Sequence, residues 1–136
     1  FLNSPNQSEH RLVTNILSSL GESFELKSEE DIDRITAISG SGPAYLFEFT
    51  CALECAAKEI GLPEKLASKF ALQTVTGASK LLAVSGLHPE ELRDQVTSPK
   101  GTTQAALESL EKNNLRKIVQ DAVEAAKARS IELSNA

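Results

Sequence analysis

The run PAYLFEFTCALECAAKEI at residues 43–60 constrains the fold more than any other stretch of this sequence. It follows Gly-Ser-Gly, carries a proline at a first-turn position and stops at Gly61, which is the punctuation of one long helix. Between Tyr45 and Ala57 its only charges are Glu48 and Glu54, so the helix is apolar around most of its circumference. Such a helix must be covered on more than one side, and a chain of 136 residues has little with which to cover it. A helical bundle that shares its core between two copies solves the problem.

Glycine and proline divide the rest of the chain. Further helices are predicted over 63–85, ending near Gly86, over 89–96, over 103–112 and over 115–133. The last of these sets Leu115, Ile118, Val119, Ala122, Val123 and Ala126 on one face. The acids clustered at 29–33 read as an exposed helix start, well placed against the helix dipole. Upstream, SEHRLVTNILSSLG at 8–21 has an apolar stripe of Leu12, Val13, Ile16, Leu17 and Leu20, closed by a glycine. SFELK at 23–27 then places Phe24 and Leu26 on one side of a short extended segment, an edge strand with no evident partner in the chain. No internal repeat or low-complexity segment interrupts this order.

A net charge of −5, few aromatics and no basic patch argue against nucleic-acid binding. No apolar run approaches the roughly 20 residues of a membrane span. The beginning FLNSPNQSEHR lacks the order of a secretory signal, so the expected location is the cytosol. The first residue is Phe1 and not an initiator methionine, which reads as part of a longer chain. Cys51 and Cys55 have no Cys or His cluster to complete a metal site and are expected to be buried free thiols.

Residues 96–103, VTSPKGTT, are chemically the most pointed stretch. Ser98, Thr102 and Thr103 supply hydroxyls ahead of or within the start of a helix, Pro99 stiffens the approach and Gly101 permits close backbone passage. Unpaired N–H groups at a helix start, assisted by hydroxyls, form an anion cradle. The plainer alternative is that Ser98 or Thr102 caps the helix. His88, in the dipeptide His-Pro at 88–89, reads first as a helix-start residue, His10 as a surface residue, and Arg93 with Asp94 as a solvated pair.

Three blocks, TAISGSGPAY at 36–45, GLPEKLA at 61–67 and HPEELRDQVTSPKGTT at 88–103, resemble the C-terminal half of the pyrroline-5-carboxylate reductase family in order and spacing. The resemblance covers essentially the whole chain. It implies an all-α helical-bundle dimerisation and substrate-binding domain over 31–136, preceded over 1–30 by a residual helix and edge strand from a Rossmann-type α/β nucleotide-binding domain. It also implies reduction of the cyclic imine to L-proline with NADPH or NADH, in a homodimer that can join into rings. The substrate carboxylate would fall to Val96, Ser98, Gly101, Thr102 and Thr103, and the nicotinamide side of the site to Thr36, Ser39 and Ser41. No proton donor and no metal are assigned. Without a strand-GxGxxG-helix unit these residues alone are expected neither to bind nucleotide nor to turn over.

The chain departs from the family pattern at Lys100, where a second glycine is usual: if that position needs positive φ the lysine is strained by about 1 kcal/mol or more, and if it does not, the added cation strengthens attraction for a carboxylate. Two other readings stand beside this one. The chain could be a non-catalytic helical homodimerisation module, or the helical half of another Rossmann-linked dehydrogenase, although the lysine-centred motif of β-hydroxyacid dehydrogenases is not found.

Overall fold

The computed structural model describes residues 6–135, and every assigned element among them is helical. The helices are α1 (Gln7–Ser18), α2 (Glu30–Ile35), a π-helical turn (Thr36–Gly40), α3 (Gly42–Glu59), α4 (Glu64–Ser85), α5 (Pro89–Gln95), α6 (Thr102–Lys112) and α7 (Leu115–Ser134). The chain divides into two compact units between residues 32 and 33.

In the first unit α1 starts with a capping box. The Asn6 side chain accepts from the N–H groups of Ser8 and Glu9 at 3.1 and 3.0 Å, and the Glu9 carboxylate accepts from the Asn6 N–H at 3.3 Å. Its apolar stripe lies open, with Leu12 60% and Leu20 83% exposed. Residues 22–26 carry no regular structure, so the edge strand expected over 23–27 is not formed among the described residues. The physical reason is that a strand exists only by pairing, and no second strand is present to supply a ladder.

In the second unit the predicted helices form within a residue or two of their expected ends. The chain leaves α3 through a Schellman turn. Gly61 has φ 95°, its N–H donates to Lys58 O at 2.9 Å, and the Leu62 N–H donates to Ala57 O at 3.0 Å. Gly86, at φ 67°, ends α4 in the left-handed conformation that a side chain would resist. At the start of α5, His88 acts as the N-cap, its Nδ1 accepting from the Glu90 N–H at 3.3 Å, while Pro89 takes the first helical position.

Helix α3 packs on α4 and on the π turn, α7 packs on the π turn, and α6 packs on α7. The residues that become buried are small. Ala67 and Ala71 on α4 are 0% and 2% exposed, and Ala37 in the π turn is 1% exposed. Small side chains one helical turn apart let α3 and α4 approach closely. The large apolar side chains have no such shelter: Phe47 on α3 is 67% exposed, Phe70 on α4 51% and Ile118 on α7 59%. The accessible surface is 11231 Å². A compact chain of this mass shows roughly 6,900 Å², and roughly 8,000 Å² if the two units are counted apart. The free thiols Cys51 and Cys55 share this exposure, which corrects the expectation that they are buried.

Candidate functional site

The loop between α5 and α6 is built by local bonds. Val96 ends α5, and Thr97 is tied back to it, its N–H donating to Asp94 O at 3.1 Å and its hydroxyl to Arg93 O at 2.6 Å. Ser98, Pro99, Lys100 and Gly101 then form a β-turn closed by the Gly101 N–H on Ser98 O at 3.0 Å. Proline in its second position and positive φ in its third are the marks of a type II turn. The third position is Lys100, at φ 61°. Glycine is the residue that position favours, so the lysine is strained by about 1 kcal/mol or more. The conformation is pinned by Gln104, whose Oε1 accepts from the Lys100 N–H at 2.7 Å and whose Nε2 donates to Glu108 Oε1 at 2.7 Å.

Gly101 is held to glycine by space. A Cβ there would run into the Ser98 hydroxyl and come within 3.0 Å of the Ser98 carbonyl oxygen. Gly101 is also the N-cap of α6, and no side chain caps that end. The capping role considered for Ser98 or Thr102 is therefore not what the loop does. The first intrahelical bond of α6 runs from the Ala105 N–H to Gly101 O at 3.2 Å. The N–H groups of Thr102, Thr103 and Gln104 are left without an acceptor among the described residues, at the positive end of an 11-residue helix. Val96, Ser98 and Thr102 are exposed, and Gly101 and Thr103 are half-buried.

The second group of expected residues lies in the π turn. The turn closes through an i to i+5 bond, the Ser41 N–H donating to Thr36 O at 2.9 Å. Ser39 spends its hydroxyl on Ile35 O at 3.0 Å, whereas the hydroxyls of Thr36 and Ser41 are unengaged among the described residues. Tyr45, from the first turn of α3, donates its hydroxyl to Ala37 O at 3.0 Å and so clamps the π turn to α3. The two groups of residues occupy separate elements, and α7 packs against both the π turn and α6. Neither Gln104 nor Tyr45 was expected at a site, and the only sequence signal for Gln104 was its place one helical turn beyond Lys100.

A cleft between α5, α6 and α7 has leucines 107, 110 and 115 along it and Arg93, Asp94 and Glu111 at its rim, and none of the expected binding residues lines it. The arginines beside it are paired. Arg93 holds Asp94 through Nε and Nη2 at 2.9 and 2.7 Å, and Arg116 holds Glu90 at 2.7 Å. The Arg116 guanidinium keeps the Glu90 carboxyl below its ordinary range, and Asp94 raises Arg93 further. Among the described residues no group of three or more His, Cys, Asp or Glu is placed to hold a metal, and no helix is long and apolar enough to cross a membrane.

Residues 29–133 match the family model described as pyrroline-5-carboxylate reductase dimerisation. A pyrroline-5-carboxylate reductase of Pseudomonas aeruginosa is 44% identical over 119 residues, covering 88% of this chain and 44% of its own length. Two solved structures have the same fold. A pyrroline-5-carboxylate reductase from Coxiella burnetii superposes with a TM-score of 0.87 at 37% identity, covering 96% of this chain and 48% of the other. The Plasmodium falciparum pyrroline carboxylate reductase with NADP bound superposes at 0.80 with 38% identity, covering 94% and 48%. The chain thus spans less than half the length of the curated relatives it matches.

Proposed function

Because the chain belongs to the pyrroline-5-carboxylate reductase family, we propose that it is the subunit-joining and substrate-binding part of an enzyme that reduces 1-pyrroline-5-carboxylate to L-proline with NADPH or NADH. With this reading goes a cytoplasmic setting and the assignment of residues 1–30 to the tail of a nucleotide-binding domain. The observation that carries the reading is the start of α6, which no side chain caps and which follows a glycine where a Cβ would meet Ser98, with the hydroxyl residues Ser98, Thr102 and Thr103 beside it in sequence.

The substrate's carboxylate is its one permanent charge, so a cradle for that group fixes where the ring lies. Thr102 and Thr103 donate to it from the helix start, and Gly101 lets the ring come close to the backbone. The bound nicotinamide supplies the hydride. This chain's part is orientation, with the imine carbon held toward the donor and the carboxylate held away from it. Thr36 and Ser41, whose hydroxyls are open, suit the nicotinamide edge of the site better than Ser39, whose hydroxyl is bonded to its own helix.

Thr103→Ala tests the assignment in the full-length protein. Loss of one charge-assisted hydrogen bond costs about 1.5 to 3 kcal/mol, a fall in kcat/KM for the imine of roughly tenfold to 150-fold. Thr103 caps nothing, so the thermal midpoint should hold. A variant whose kcat/KM stays within about twofold of wild type removes Thr103 from the carboxylate site.

A further inference from the structure

Among the described residues two non-glycine residues adopt positive φ, Lys100 and Asn114. Asparagine tolerates that conformation, and Asn114 needs no further account. Lysine does not, and a glycine would make the same turn without strain. The backbone at Lys100 is already secured by Gln104, so its side chain adds nothing to the hold. That side chain is exposed and makes no ion pair with any described residue, whereas Arg93, Arg116 and Lys117 are each held by a carboxylate. An unpaired cation thus stands two residues before Thr102, on a chain of net charge −5 that would otherwise repel an anion.

Resting on the carboxylate reading of the loop, we infer that Lys100 is a specificity-determining residue for the anionic substrate, drawing it to the start of α6 by its charge without bonding to it in the reacting geometry. A charge that acts across several ångströms of water is weak and is screened by salt. Its effect therefore belongs in KM, at low ionic strength, and not in kcat.

The experiment uses the full-length protein with Lys100→Gln, which removes the charge at equal strain, Lys100→Arg, which keeps it, and Lys100→Gly, which removes charge and strain together and so remains measurable if the glutamine variant folds poorly. In about 20 mM salt the Gln and Gly variants should raise KM for pyrroline-5-carboxylate roughly threefold at unchanged kcat, the Arg variant should match wild type, and in about 0.5 M salt the differences should vanish. A KM within about 1.5-fold of wild type at low salt, or a loss that persists at high salt, overturns the inference. Thr103→Ala in the same series separates the two claims. If it lowers kcat/KM while the Lys100 variants do not, only the role of Lys100 falls. If neither changes it, the carboxylate reading falls as well.

Discussion

Tyr45 spends its hydroxyl on the carbonyl of Ala37, a buried residue in the middle of a turn whose bonds run i to i+5. That ladder leaves carbonyls misaligned with the helix that follows, and a half-buried phenol satisfies one of them. Tyr45→Phe keeps the ring and leaves the Ala37 carbonyl without its donor, so stability should fall by about 1 kcal/mol, roughly 3 to 5 °C in thermal midpoint. A midpoint that does not move would mean that water replaces the phenol at no cost. Conformations fixed by single residues are where sequence and structure part company. Lysine has no left-handed preference, so the φ of Lys100 could be stated only as a condition, and the turn bond from Gly101 to Ser98 was needed to decide it.

Helix α5 is a short element joined to α7 by an ion pair, Glu90 with Arg116 at 2.7 Å, and both side chains are open to water. The Glu90 carboxyl lies below its ordinary value of 4.5 because of the Arg116 guanidinium, so the pair stabilises the fold above that value and ceases to do so as pH falls through the lowered one. Glu90→Gln should therefore unfold slightly more easily than wild type near neutrality, and the gap should close as the pH drops below 4.5. Thermal melts of both proteins between about pH 7 and pH 3 measure it, and a gap that persists at the acid end would assign the effect to packing. At this scale the sequence was most legible. Gly61, Gly86 and the prolines at 63 and 89 mark helix ends by backbone chemistry that holds in any context. The π turn was not legible, because its extra residue is set by the Ser41 to Thr36 bond and has no composition of its own. The edge strand was misjudged because alternation at Phe24 and Leu26 describes a face and cannot supply the partner.

For the whole molecule the decisive quantity is apolar surface. Phe47 and Phe49 on α3, Phe70 and Leu72 on α4, and Ile118 and Val119 on α7 stand open in one chain, more than an isolated domain keeps in water. We propose that the second unit forms a homodimer interleaved with α3 near the twofold axis, an arrangement that would cover them and would also account for Cys51 and Cys55, expected inside, standing outside in one chain. Light scattering across a dilution series should give the mass of two chains down to micromolar concentration, with a thermal midpoint that rises with concentration. A soluble monomer that melts cooperatively at those concentrations would refute the shared core. The apolar circumference of 43–60 announced the need for cover, but burial was the one property that the sequence of a single copy could not assign residue by residue.

Helix α7 comes back to where its unit begins. It packs on the π turn, and the Ser130 hydroxyl donates to the Asp33 carboxylate at 2.6 Å across 97 residues of chain. The start and the α7 end of the second unit are therefore neighbours, joined by a side-chain bond. Opened at the glycine-ended bend after α4 and joined across the Asp33–Ser130 contact, the unit would run α5, α6, α7, π turn, α3, α4 with every helix keeping its neighbours. The packing thus runs α4, α3, π turn, α7, α6, and the covalent chain through α5 is what joins its two ends.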